Sequence, residues 1–178
     1  MASGRLADRS DASTSHVGAQ RVRQAVTQDL EAVVSLRTAL LREHPDHPVY
    51  GRLRPDLDRR ARELFAAQLR AAAEVIFLAE LSTEVVGILR CVDTIGSPLL
   101  LPARYAYVSS VYVRPDARRR GVMRALVRAA EHWSRARGLD QMRLHNVAGS
   151  ADAERAWAAL GFDVVEQVRL RHLVDSPG

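Results

Sequence analysis

Residues Val111 to Val127, VYVRPDARRRGVMRALV, constrain the fold more than any other part of this 178-residue chain. An apolar strand pattern ends at Arg114-Pro115, and Arg118, Arg119, Arg120 and Gly121 then open an amphipathic helix. The first N–H groups of a helix have no intrahelical acceptors, and that end carries the positive pole of the macrodipole. Three arginines placed there oppose the dipole unless an anion offsets them. Gly121 allows the backbone to approach such a ligand closely. The stretch therefore predicts a strand–loop–helix unit that holds phosphate groups at the helix start.

The rest of the chain reads as strands and helices around this unit. Arg21 to Val26 has a strand pattern, and Thr27 is placed to cap a helix through Leu30, Val33, Val34 and Leu41. The proline-rich stretch His44 to Pro55 predicts a loop. Asp56 is placed to cap a second helix to about Ala73, with Leu57, Leu64, Phe65 and Leu69 on one side. Val75 to Leu81 and Val85 to Val92 predict a hairpin turning at Ser82 to Glu84. After the loop Ile95 to Arg104, Tyr105 to Val113 forms the central strand. The helix Gly121 to Arg137 is expected to bury Val122, Leu126, Ala129 and Trp133, and to end at Gly138. A strand over Gln141 to Val147 follows, then a helix capped by Ser150 with Ala153, Ala156, Trp157 and Leu160 inward. Gly161 stops that helix with Phe162 packed back across its end, and Val164 to Leu173 is expected to close the sheet. The order β-α-α-β-β-β-α-β-α-β gives an α/β (α+β) fold, a mixed, twisted, mostly antiparallel sheet with helices on both faces.

Length suits one domain over residues 21–174, after a tail of residues 1–20 rich in Ser, Ala, Asp and Thr and expected to be disordered. The tail has no apolar secretory core, and no apolar run approaches the length of a membrane span, so neither signal nor membrane partner is expected. Cys91 is the single cysteine, which excludes an intramolecular disulfide, offers no metal cluster and suits a cytoplasmic location. All 26 basic residues are arginine, and the net charge is +5. Those arginines are spread among 21 acidic residues, and aromatics are only 5%, so no base-stacking nucleic-acid surface is expected.

The charged loop and its flanks resemble the GNAT acetyltransferases. In that family the acyl-CoA pyrophosphate loop reads Arg/Gln-x-x-Gly-x-Gly/Ala after a strand ending Val-x-Pro. Here Val113-Arg114-Pro115 precedes Arg118-Arg119-Arg120-Gly121-Val122-Met123, with Met123 where a small residue is usual. Family members also carry Asn-x-x-Ala, then Tyr, then Gly-Phe. Here Ser150-Ala151-Asp152-Ala153 leads to Trp157 and Gly161-Phe162, so Ser150 replaces the Asn and Trp157 the Tyr. The resemblance covers about Val75 to Leu173. It implies an N-acetyltransferase that uses acetyl-CoA as cosubstrate and a primary amine of a small molecule or peptide as acceptor. It further implies a splayed central strand pair that admits the acyl-CoA arm. The backbone of Val111 and Val113 would pair with that arm, Arg118 to Met123 would hold the pyrophosphate, and Ser150 would touch pantetheine. A non-catalytic acyl-CoA-binding regulatory domain is the alternative, and a homodimer is left open.

Candidate acid–base groups follow from residue type. An indole N–H is too weak an acid to replace a tyrosine, so Trp157 reads as a packing residue. Tyr107, Ser109, His145 and Asn146 fall on the two strands expected to flank the gap. Tyr107 is a candidate acid and His145 a candidate base. Asn146 breaks an apolar alternation and so is expected to need a buried partner. Glu80, inside an apolar strand, is a second candidate base. The family resemblance implies that the loop His44 to Arg54 walls the acceptor site.

Overall fold

The computed structural model describes residues 20–147 and 149–173. The expected tail lies outside the described residues except for Gln20, which opens the first strand. The elements are β1 (Gln20–Gln24), α1 (Leu30–Arg42), α2 (Leu57–Gln68), β2 (Glu74–Leu81), β3 (Glu84–Ile95), β4 (Arg104–Val113), α3 (Val122–Ala136), β5 (Met142–Leu144) and α4 (Ala151–Ala158). Short 3₁₀ turns at Thr27–Asp29 and Pro115–Ala117 precede α1 and α3. The five strands lie in the order β1-β2-β3-β4-β5, antiparallel except for the parallel β4–β5 pair. Among the described residues, no helix is long and apolar enough to cross a membrane.

Strand alternation sends apolar side chains to both faces, so the sheet has a core on each side. On one face Phe77, Leu89, Cys91, Ala106 and Val108 pack against Val122, Leu126, Val127 and Ala130 of α3. On the other, Ile76, Leu78, Ile88 and Tyr112 pack against Val33, Val34 and Leu36 of α1 and Ala61 and Phe65 of α2. Leu126 is fully buried, a placement worth roughly 1.5–3 kcal/mol. Gly87 on β3 sets how near α3 comes to the sheet. A Cβ there would meet Val122 Cγ1 at 3.0 Å, Leu126 Cδ1 at 3.2 Å and the Tyr112 carbonyl at 3.3 Å.

Several sequence expectations need correction. The α3 stripe runs Val122, Leu126, Val127, Ala130 and Ser134; Ala129 and Trp133 flank it, partly buried. On α2, Leu64 is exposed, and Ala61 and Phe65 are the buried residues. Asp56 precedes α2, but its carboxylate pairs with Arg59 at 2.6 Å and Arg60 at 2.8 Å rather than capping the backbone. At the α1 entry Asp29, not Thr27, supplies the contact: its carboxylate accepts the Val26 N–H at 2.8 Å. The predicted strand Gln141 to Val147 shortens to Met142–Leu144. Val164 to Leu173 is no strand at all, and Val164, Val165 and Val168 are about four-fifths exposed. A three-residue β5 offers its would-be neighbour few ladder hydrogen bonds, too few to order a ten-residue segment.

Candidate active site

The β4–α3 connection forms one wall. Leu126 and Val122 fix α3 on the sheet, and the turn Pro115–Ala117 reverses the chain so that α3 starts beside the end of β4. Gly121 sits at the helix N-cap with φ +80°, in the left-handed region, and Arg119 also has positive φ, +59°. The first intrahelical bond runs from the Ala125 N–H to the Gly121 carbonyl at 3.1 Å, and no side chain caps this end. The N–H groups of Val122, Met123 and Arg124 therefore lack intrahelical acceptors.

The arginines here divide into two groups. The Arg118 guanidinium turns back, donates to the Val113 carbonyl at 3.0 Å and pairs with Glu43. It also lies over the Tyr112 ring, 6.0 Å from the centroid. Arg114 is held by Glu84 and Asp116. Arg119, Arg120 and Arg124 make no ion pair among the described residues. Among the described residues, three unpaired cations thus adjoin a helix N-terminus with free donors, a combination that suits a polyphosphate.

A gap between strands forms the second part. β4 and β5 pair at Ala106↔Met142, Tyr107↔Arg143 and Val108↔Leu144, and the ladder stops there. β4 continues to Val113 without β5 beside it. On the other side, Arg90 pairs with Ser109 and Ile88 with Tyr112, so a bulge leaves Ser110 and Val111 without a register partner. Ser110 takes φ +55°. Ser110 and Val111 thus have no register partner on either side, at the point where the strands part. Sequence reasoning missed this bulge, whose only trace is two successive serines within a strand of aromatic and β-branched residues.

Tyr107 and His145 meet at the mouth of this gap, with Tyr107 Oη 3.0 Å from His145 Nδ1. His145 is exposed, and Tyr107 is half-buried. Burial pushes the Tyr107 phenol up from its ordinary value; Tyr50 and Tyr105 add to the shift and Arg90 opposes it. Before the bulge, Tyr107 and Ser109 face the α1/α2 side of the sheet. Arg90 shares that face, donating to Ser109 Oγ at 3.3 Å and pairing with Glu74. The loop after α1 brings Tyr50 to the same region. That loop is held by His47 Nδ1, which accepts the N–H groups of Val49 and Tyr50 at 3.2 and 3.1 Å, and the His47 and Tyr50 rings stack at 4.7 Å.

Other candidates lie apart. The Glu80 carboxylate accepts from Arg23 Nε at 2.7 Å on the far strands β1 and β2, in a cluster completed by Asp29, and is not brought to Tyr107 or His145. Asn146 is exposed and donates to the Val147 carbonyl at 3.3 Å, so the buried partner expected from sequence is replaced by an exposed backbone contact. Ser150 caps α4, its Oγ accepting the Ala153 N–H at 3.4 Å. Trp157 packs edge-on against Phe162, with ring centroids 5.3 Å apart. Among the described residues, no group of three or more His, Cys, Asp or Glu side chains could hold a metal ion.

Comparison with known proteins places this geometry in a family. The chain matches the sequence profile of the acetyltransferase (GNAT) family over residues 33–162. It is 44% identical over 64 residues to the aminoglycoside N(6')-acetyltransferase type 1 of Klebsiella aerogenes, a match that spans 36% of this chain and only 42% of that relative. In fold it resembles the aminoglycoside N-acetyltransferase AAC(6')-Iy solved with CoA (TM-score 0.72, 21% identity, 87% of this chain and 95% of that one). It also resembles a predicted acetyltransferase from Clostridium acetobutylicum solved with acetyl-CoA (TM-score 0.69, 19% identity, 86% and 96%). With the profile spanning most of the chain, and the uncapped helix start, the bulged central strand and the parted parallel pair in place, this protein belongs to the GNAT family of acetyltransferases.

Proposed function

We propose that this protein transfers the acetyl group of acetyl-CoA to a primary amine of a small-molecule or peptide acceptor. The observation that carries the reading is the alignment of three features along one strand. Tyr107 and His145 stand at the point of strand separation, the bulge at Ser110 and Val111 follows, and the uncapped start of α3 lies beyond.

Each part has a chemical task. The N–H groups of Val122 and Met123, with Arg119 and Arg120 beside them, hold the pyrophosphate; Arg118 shapes the loop through Val113 and Glu43. The backbone edge at Val111 and Val113 that faces away from β3, where Arg118 already takes the Val113 carbonyl, binds the pantetheine arm, and Ser150 borders it. Bound acetyl-CoA presents a thioester whose carbonyl gains negative charge as the amine adds. Backbone donors at the bulge stabilise that charge without reorganising. Amide formation releases one proton from the amine nitrogen, and the departing sulfur takes up one. The hydrogen-bonded pair His145–Tyr107 can carry that proton, His145 accepting it and Tyr107 delivering it. Leaving as a bare thiolate near pH 7 costs roughly 2 kcal/mol relative to the thiol, so this delivery is a moderate gain.

The test is release of free CoA from acetyl-CoA across a panel of amines, followed with a thiol reagent, beside calorimetry of acetyl-CoA binding. Turnover with at least one amine is expected. Tight binding without turnover on any amine would instead establish a non-catalytic acyl-CoA-binding domain.

A further inference from the structure

Arg37 lies on the sheet-facing stripe of α1. It follows Val33 by four residues and Val34 by three, both buried against the sheet, and precedes Leu40 by three. That stripe packs against β3 and β4. Arg37 is half-buried there, yet among the described residues it makes neither an ion pair nor a side-chain hydrogen bond. Burial lowers its pKa, Tyr50 opposes that and Arg90 adds to it. Arg90 and Tyr50 are also the groups that act electrostatically on Tyr107. Geometry places the two on the same side: Tyr107, Ser109 and Arg90 project from the face of β3 and β4 that α1 crosses, and Arg37 lies on the stripe of α1 turned toward that face.

The charge of this patch is unbalanced. Arg90 is paired with Glu74 and donates to Ser109. Among the described residues Arg37 has no equivalent partner, so they leave the patch with one positive charge. A guanidinium withdrawn from water without a carboxylate is costly, and a planar, bidentate donor suits a carboxylate best. The guanidinium thus points to a partner that arrives with the acceptor. A polycationic acceptor would meet repulsion at the same place.

We propose that the acceptor is an α-amino acid or a similarly carboxylated amine, whose carboxylate pairs with Arg37 while its amine lies at Tyr107 and His145. The proposal rests on the acetyl-transfer reading for which end of the acceptor reacts, but the carboxylate site itself does not depend on turnover.

Matched pairs differing only in the carboxylate test it: L-phenylalanine against 2-phenylethylamine, and L-lysine against cadaverine, with kanamycin as a polycation. Binding to the CoA-loaded protein is measured by calorimetry, and kcat/KM by CoA release. The carboxylated member should be favoured roughly tenfold or more, as a charge-assisted bidentate contact warrants. Arg37→Met, which keeps the apolar stem, should remove the preference through KM with little change in kcat for the decarboxylated amine. Arg37→Lys should restore part of it. Arg37-dependent binding of L-phenylalanine with no acetylation of any amine would uphold the carboxylate site and overturn acetyl transfer. Equal kcat/KM for both members of each pair, kanamycin preferred over both, or no binding of either carboxylated amine would overturn the proposal.

Discussion

Tyr107 Oη and His145 Nδ1 lie 3.0 Å apart, one on a central strand and the other just past its short parallel neighbour. The contact spans the last rungs of the β4–β5 ladder, Tyr107↔Arg143 and Val108↔Leu144, before the strands part. The parallel register itself brings the two side chains together: Tyr107 pairs with Arg143, and the side chain two residues on from Arg143 points to the same face. The T-shaped ring contact, with centroids 5.6 Å apart, adds a second restraint on the same pair. The hydrogen-bonded pair at the mouth of the gap is thus a consequence of strand pairing.

Tyr107→Phe removes the hydroxyl and keeps the ring. It should lower kcat roughly 10²-fold with KM for acetyl-CoA nearly unchanged, within the range for a lost general acid. His145→Ala should cost a similar factor, and the double variant should cost little more than either single one, because the two act as a unit. The acid must be protonated to act, and burial raises the Tyr107 phenol above its ordinary value of 10.0. Steady-state kinetics should therefore show no alkaline loss from this group below about pH 10. Fully additive losses in the double variant would mean that the two residues do not share one proton.

Gly121→Glu should abolish acetyl-CoA binding. A carboxylate at the helix start would sit where the pyrophosphate is placed and would turn the local field against it. The left-handed φ of +80° adds strain for any side chain, although a Cβ would meet nothing nearer than Gln20 Oε1 at 3.9 Å. Gly121→Ala therefore serves as the control: it should lose about 1 kcal/mol of stability and retain binding. Calorimetry showing undiminished affinity in Gly121→Glu would remove the pyrophosphate assignment.

What the sequence made legible was mainly local. The loop from Arg118 to Met123, the Ser150 cap and the Gly161-Phe162 helix end are specified within a few residues by charge, a hydroxyl or a glycine. Phe162 closes its helix by donating to the Trp157 carbonyl at 3.1 Å and packing on the same residue, as the spacing predicts. The unread features depend on distant partners. Glu80 looks like an isolated carboxylate until β1 places Arg23 beside it. The bulge at Ser110 needs β3 opposite β4 to be counted at all. Alternation in Val164 to Leu173 shows which side chains would share a face, but not that β5 is too short to pair with them. Nothing in the sequence alone singles out Arg37, and only the packing of α1 on β3 and β4 shows that, among the described residues, it lacks a partner.

Asp29 joins two kinds of contact: its carboxylate accepts the Val26 N–H at 2.8 Å and pairs with Arg23 at 2.6 Å. Asp29→Asn should lower the unfolding free energy by roughly 1–3 kcal/mol, the scale of a hydrogen bond to a charged partner. The Arg23 guanidinium holds this carboxyl below its ordinary value of 3.8. A depressed folded-state value means that the stabilisation is fully present above that ordinary value and is lost as pH falls through the lower, folded one. The gap between wild type and Asp29→Asn in urea denaturation should therefore stay constant from neutral pH down to about pH 5 and narrow only in stronger acid. A gap that closes already at neutral pH would assign the effect to some other group.

Trp157 occupies the position where the family usually has a tyrosine, and here its ring stacks edge-on against Phe162, with planes at 77°. It is half-buried against the α3-side core, beside Leu160 and Phe162. Among the described residues its indole N–H makes no hydrogen bond, which fits a packing task. Trp157→Phe keeps an aromatic partner for Phe162 and should retain most of the turnover. Trp157→Ala removes that partner and unties the helix end, with an expected loss of about 2 kcal/mol, below the 3–5 kcal/mol typical of fully buried aromatics. With Tyr107 on β4 proposed to supply the proton for the departing sulfur, turnover should follow stability in this series and not the loss of the indole. Kinetics at saturating acetyl-CoA, taken with the unfolding midpoint, separate the two. A hundredfold fall in kcat for Trp157→Phe at unchanged midpoint would place the indole N–H in the chemistry and displace Tyr107 from its assigned role.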